Sequence, residues 1–331
     1  MKPKLLVIEL WGIGDLVIAT PFLQAASTKY DVTLVAKPFA IDLQNRFWPE
    51  VRVVPFLAPW TSFKEKYNFF SWPWISMFRL WRQLRAARFD IAISARRDPR
   101  DHFLLRLFGA KNRLGFPRLQ GQRFLTQLVA LPAPDAHRYE SWHQLASALN
   151  LELPKKEQLH FESNFKEQIL VHTGAARSVR VWPLVRFRNL VNRLRRLNFE
   201  VQVACDPGQR SWWLDAGEEN VATPTTLAAL QKIIDASGFF VGNDSGPGHL
   251  AAISGCPTFT IFGPQLPEWF IPLHPRAECI EGKACPYKPC FDYCHFPAPH
   301  CLLNVSEEEV LRKVENFVAN HFHKMPNVAH V

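Results

Sequence analysis

The chain has 331 residues, 47% of them hydrophobic, and carries a formal net charge of +9 at pH 7. That length suits two domains of about 150 residues, each with its own buried core. The charge favours anionic partners, among them nucleotide diphosphates, phosphorylated glycolipids, acidic membrane surfaces and nucleic acid, without choosing between them. A bilayer span at the N-terminus is excluded: Leu5 to Leu23 is broken by Glu9, Gly12, Gly14, Asp15 and Pro21, where a span needs about 20 apolar residues in a row. A basic start, an unbroken apolar run and a small-residue cleavage site are also missing, so the expectation is a cytoplasmic protein.

Leu5 to Glu9 reads as a short buried strand, followed by a turn at Gly12 to Asp15 and a helix from about Pro21 to Lys29, with proline in its first turn. Val32 to Ala36 and Val51 to Val54 give the next strands, and Phe89 to Ser94 another. Strands and helices that alternate in this way build a parallel sheet covered on both faces. Tyr67 to Arg88 is rich in aromatic and basic residues. Ile75, Phe78, Trp81 or Arg82, and Leu84 or Arg85 recur there at helical spacing. Such a helix either settles among anionic head groups or acceptor glycolipid, or packs on its domain with its arginines in water.

Proline-rich loops around one helix, Tyr139 to Leu149, lead to an expected linker at Lys155 to Lys166. The first domain is therefore set at 1–160. The second, at 166–305, restarts the alternation. Gln168 to His172 is a strand, Phe187, Leu190, Val191, Leu194 and Leu197 mark a helix face, Phe199 to Ala204 is a strand, and Thr225 or Thr226 caps a helix through Ile234. Phe239 to Val241 then feeds a turn at Asn243 to Gly246, a small-residue helix opens near Pro247, and a strand runs from Thr258 to Phe262. Unpaired N–H groups at such a helix start attract phosphate, and Ser245 and His249 add side-chain donors. The alternative is that Asp244 or Ser245 only caps the helix.

Five cysteines crowd between Cys279 and Cys301, and Cys205 and Cys256 sit in apolar, core-like surroundings. In a reducing compartment Cys285, Cys290, Cys294 and Cys301 suit a structural zinc or iron ion, free thiols or disulfides, and the spacing does not decide between these. A final helix at 306–320, capped by Ser306 and with Glu307 to Glu309 at its positive end, precedes a loose basic tail. A dinucleotide oxidoreductase is disfavoured. Gly12-x-Gly14-x-x-Val17 lacks the third small residue, and Lys37 stands where an acid would follow the second strand.

Four motifs lie in order along the chain: Gly14-Asp15 with Thr20-Pro21, His172-Thr173-Gly174-Ala175, Arg180-x-Trp182-Pro183, and Asp244-Ser245-Gly246-x-x-His249 with Ala251-Ala252. Together they resemble glycosyltransferase family 9, the ADP-heptose:lipopolysaccharide heptosyltransferases. The resemblance implies a GT-B fold, in which two Rossmann-like doubly wound parallel-sheet domains face each other across a cleft. It further implies inverting transfer of a heptose or related sugar from an ADP-sugar to an anionic glycolipid acceptor, on the cytoplasmic face of the inner membrane. No cofactor is required for such chemistry, and nucleic acid has no part in it. Sugar transfer needs a base for the acceptor hydroxyl, positive charge for the leaving diphosphate, and alignment of the two substrates.

Asp15 matches the proposed catalytic base of the family; read from the sequence alone it serves equally as an N-cap. Gly14 precedes it in the turn. Arg180 matches the basic residue before Trp-Pro and can hold diphosphate oxygens in a fork. Thr173, Gly174 and Ala175 would supply backbone and hydroxyl donors. Ser245, Gly246 and His249 complete the pocket, and Asp244 meets sugar hydroxyls or orients the loop. Arg177 is a second basic candidate. Where relatives place an acid for the nucleotide ribose, only Asp206 offers itself here.

Overall fold

A computed structural model describes residues 2–61, 68–162 and 166–322. Tyr67, residues 163–165 of the expected linker, and the expected basic tail from residue 323 onward lie outside the described residues.

The chain forms two compact units, Met1–Pro154 and Lys155–Val331. Residues just after the boundary belong with the second unit, where Phe161 stacks on His274 with ring centroids 6.4 Å apart. In the first unit the strands are β1 Lys4–Glu9, β2 Asp31–Ala36, β3 Arg52–Pro55, β4 Ile91–Ser94, β5 Asn112–Gly115 and β6 Gln127–Leu128. They pair in the order β3-β2-β1-β4-β5-β6, and every pairing is parallel. Leu5 to Ile8 on β1 are wholly buried, as expected of a strand covered on both faces.

The first-unit helices are α1 Ile13–Ile18, α2 Thr20–Lys29, α3 Ile41–Phe47, α4 Trp74–Ala87, α5 Pro99–Leu107 and α6 Arg138–Ala148. The expected turn at Gly12 to Asp15 is the start of α1, so Gly14 and Asp15 are helical. Helix α4 forms where the spacing predicts it, and of the apolar residues expected to recur along it Trp81 and Leu84 face the core while Ile75 and Phe78 do not. Leu80 and Leu84 are buried in the core of this unit, with Met77 and Trp81 packed against it. Ile75 and Phe78 stand 71% and 57% exposed, beside the exposed Arg79 and Arg82. Both stripes satisfy helical spacing, and only the position of the sheet selects the one at 77, 80, 81 and 84.

In the second unit the strands are β7 Ile169–His172, β8 Val201–Ala204, β9 Phe239–Asn243, β10 Thr258–Phe262 and β11 Ala277–Glu281. They pair in the order β11-β10-β9-β7-β8, again all parallel. The helices are α7 Leu184–Arg196, α8 Arg210–Asp215, α9 Leu227–Asp235, α10 Gly246–Ile253, α11 Pro267–Phe270, α12 His300–Leu303 and α13 Glu307–Phe322. Thr226 caps α9 through its hydroxyl, which accepts from the Ala229 N–H at 3.1 Å. Ser306 likewise accepts from the Glu309 N–H at 3.3 Å. Val310, Val314, Phe317 and Val318 of α13 complete the core over β7, β9 and β10. Among the described residues no helix is long and apolar enough to cross a membrane.

Candidate active site

Open parallel sheets bind ligands outside the carboxyl ends of their strands, where the strand order reverses. In the first unit that point lies between β1 and β4. The register sets Ile8 opposite Ser94, so the next residues out, Glu9 to Asp15 on one side and Ala95 to Arg96 on the other, meet there. Arg96 Nη1 donates to Asp15 Oδ1 at 2.7 Å, and its guanidinium lies 4.5 Å from the centroid of the Trp11 ring. Asp15 Oδ2 accepts from the Gly12 N–H at 3.4 Å, as an acid at the third helical position does. Asp15 thus helps to close the first turn of α1 while its other oxygen meets Arg96. The two side chains remain 22% and 25% exposed and line a pocket with Glu9, Arg138, Ser141 and Trp142.

Glu9 is buried behind this pair and accepts from the Trp11 N–H at 3.2 Å. Burial, and next the charge of Asp15, push its carboxyl up to about 8. Asp101, also buried, is pushed up to about 7 by burial and by Asp98. Burial works against the Arg96 cation, yet Asp15, Glu9, Asp101 and Asp98 outweigh it and raise its pKa.

In the second unit the order reverses between β7 and β9, and the candidate residues sit on the two loops that leave these strands. Asn243, at the end of β9, bridges them. Its Nδ2 donates to the Thr173 carbonyl at 2.9 Å and its Oδ1 accepts from the Trp182 N–H at 3.0 Å. Thr173 is fully buried. Its hydroxyl donates to Gln209 at 2.9 Å and accepts from Trp213 Nε1 at 3.2 Å. That hydroxyl therefore pins the loop, where the sequence suggests a donor to ligand. Gly174 lies against Asp206: a Cβ there would stand 2.3 Å from the Asp206 carboxylate. Only glycine lets the acid at the end of β8 approach this loop. Ala175 is half-buried beyond it.

Arg180 closes a one-turn 3₁₀ helix that begins after the half-buried Arg177. Its Nη1 donates to Asp244 Oδ2 at 3.1 Å, while Nε and Nη2 fork onto both oxygens of Asp292 at 2.6 and 2.9 Å. The Asp244 carboxylate thus orients Arg180. Ser245 is the N-terminal flanking residue of α10 but makes no side-chain bond to the helix; its hydroxyl donates to the Asn243 carbonyl at 3.2 Å. Simple capping by Ser245 is not what this turn does. Gly246 opens α10, half-buried, and His249 follows it, buried.

Arg96 and Asp292 complete these constellations but carry no motif. Arg96 could have been found by looking just past the predicted strand ending at Ser94. Asp292 (φ 71°) lies inside the cysteine-rich segment, in a pair of left-handed residues with Phe291 (φ 50°), and nothing in the local sequence marks it.

No disulfide joins any two cysteines among the described residues. Cys205 and Cys256 are buried as their surroundings predict, and burial pushes the Cys205 thiol up to about 11. The Cys301 thiol is raised by burial, and Cys285, Cys290 and Cys294 are near enough to add to this. Among the described residues, no three or more His, Cys, Asp or Glu side chains converge as a metal site requires.

The family model of glycosyltransferase family 9 (heptosyltransferase) matches residues 77–298. The chain belongs to glycosyltransferase family 9. Arg96, the switch point of the second sheet and Asp292 fall inside the matched region; Asp15 precedes it. Lipopolysaccharide heptosyltransferase 1 of Pseudomonas aeruginosa is 27% identical over 230 residues, which span 64% of this chain and 64% of that protein's length. The family 9 glycosyl transferase of Veillonella parvula DSM 2008 shares the fold, with a TM-score of 0.78 at 19% identity over 97% of this chain and 98% of that one. E. coli heptosyltransferase WaaC, solved with ADP, shares it with a TM-score of 0.73 at 16% identity over 95% and 99% of the two chains. Two doubly wound parallel-sheet units, as the GT-B fold implied by the motifs has, make up this family 9 chain.

Proposed function

We propose that this chain is an inverting glycosyltransferase that moves a heptose from ADP-heptose to the anionic core of a lipopolysaccharide precursor. Asp15 is the base for the acceptor hydroxyl. Arg180 and the N-terminus of α10 receive the diphosphate, and Asp206, held close by Gly174, is the candidate partner for the ribose. The observation that carries this reading is Arg180: a guanidinium at the switch point of the second sheet, forked on a carboxylate at 2.6 and 2.9 Å, the two-pronged contact with which arginine also holds phosphate oxygens. ADP in the related WaaC structure and the lipopolysaccharide acceptor of the Pseudomonas relative supply the substrate class. The test has two parts. ADP, in preference to UDP or GDP, should raise the melting temperature of the wild type and of Asp15→Asn alike, and Asp15→Asn should abolish transfer. An Asp15→Asn variant that keeps most of its rate removes Asp15 from the base role.

The reaction belongs in the cytoplasm, at the inner-membrane face. Phe70, Trp74, Ile75 and Phe78 are exposed beside Arg79 and Arg82, a mixed apolar and basic surface suited to anionic head groups. Retention on phosphatidylglycerol vesicles, weakened by Phe78→Ser, supports this contact; equal retention of both proteins removes it. For the cysteine-rich loop we propose a structural zinc or iron ion held by Cys285, Cys290, Cys294 and Cys301, which requires their side chains to turn toward one another on binding. Elemental analysis of purified protein decides the matter, since one equivalent of metal supports the site and none removes it.

A further inference from the structure

The carboxylate assigned as base, Asp15, is engaged through both of its oxygens. Oδ1 is held by Arg96 and Oδ2 faces the Gly12 N–H. Arg96 is anchored on a second side by the Trp11 ring, and it borders the pocket beside Arg138. Glu9 lies buried beneath this pair. A guanidinium that is a quarter exposed and lines a pocket with a second arginine suits an anionic ligand.

We propose that Arg96 is a positioning residue that selects an anionic acceptor. An acceptor carboxylate or phosphate near the reacting hydroxyl takes over the guanidinium, and Asp15 Oδ1 is released to that hydroxyl. This rests on the reading of Asp15 as base. In the transfer that follows, Asp15 takes the hydroxyl proton as the acceptor oxygen bonds to the anomeric carbon. The bond from that carbon to the diphosphate oxygen breaks, and the nucleoside diphosphate leaves with the electron pair.

The test uses the full chain and, as probe, lipopolysaccharide truncated before its heptoses, either intact, dephosphorylated or with its carboxyl groups amidated. Titration calorimetry of the ADP-loaded protein measures binding without turnover, and ADP-heptose turnover gives kcat and KM. Arg96→Gln should bind ADP as the wild type does, bind the intact probe at least tenfold more weakly, and raise the acceptor KM by the same factor. Arg96→Lys, which keeps the charge, should recover at least half of that loss on a logarithmic scale. The wild type should lose the same factor on whichever modified probe lacks the recognised anion, and Arg96→Gln should be indifferent to that modification. The phosphate and carboxylate arms thereby name the group. Probe affinity and KM in Arg96→Gln within twofold of wild type, or undiminished discrimination between intact and modified probes, overturns the proposal. If Asp15→Asn is inactive while Arg96→Gln is unchanged, only the role of Arg96 falls; an active Asp15→Asn removes the base itself.

Discussion

Asp292→Asn tests whether Arg180 is the diphosphate clamp. Asp292 occupies the Nε and Nη2 edge of the guanidinium through contacts of 2.6 and 2.9 Å, with the two side chains 14% and 23% exposed. Hydrogen bonds to charged groups contribute about 1.5–3 kcal/mol each, and exposed ion pairs about 0–1 kcal/mol. A fork that is mostly but not fully enclosed falls between these, at about 1.5–2 kcal/mol. A diphosphate that takes this edge must displace the carboxylate and withstand its negative charge. Asparagine keeps the shape and removes the charge, so ADP should bind about tenfold more tightly, the ratio that about 1.4 kcal/mol corresponds to. The same substitution weakens the unliganded protein, and the melting temperature should fall by about 3–8 °C for a domain of this size. Titration calorimetry with ADP and a thermal melt read both effects. If the melting temperature falls while ADP affinity stays constant or weakens, Asp292 and Arg180 form a purely structural pair and the diphosphate binds elsewhere.

Gly174→Ala should weaken ADP binding at least tenfold while the circular dichroism spectrum stays intact, because its Cβ would stand 2.3 Å from the carboxylate of Asp206, the candidate ribose partner, and must turn it away from this loop. Glu9→Gln should change how stability depends on pH. The Glu9 carboxyl is raised from 4.5 to about 8 in the fold, so the stability it contributes is full below about 4.5 and is lost as pH rises toward 8. The advantage of the glutamine variant should therefore widen between pH 5 and 8 in scanning calorimetry, and a constant gap refutes the buried-acid reading. Leu80→Ala should cost about 2–4 kcal/mol in a urea melt, whereas Phe78→Ala should change stability by less than about 0.5 kcal/mol, since only the first leaves a cavity.

What the sequence made legible here is set by range. Asp15 could be singled out because a strand of buried apolar residues, a glycine turn and a helix start lie within a dozen positions, and Thr226 and Ser306 because a cap acts on the next turn. Residues that meet through the order of the strands leave no such trace. Arg96 is 81 positions from Asp15, and Asp292 is 112 from Arg180. The first pair exists because β4 is inserted beside β1, ahead of β5 and β6 in the sheet, an arrangement no local period encodes. Short strands fail for a related reason. β6 is two exposed residues, Gln127 and Leu128, too few to alternate, and it is defined only by its pairing with Leu114 and Gly115. Helix α4 shows the intermediate case, since its helical period is local but the choice between its two apolar stripes belongs to the sheet beneath it. In a doubly wound fold, then, local sequence determines which groups stand at each strand end, and strand order determines which of those groups meet. The motifs carried the first kind of information, which is why they reached Asp15 and Arg180 and stopped short of the counter-ions, Arg96 and Asp292, that now hold each of them.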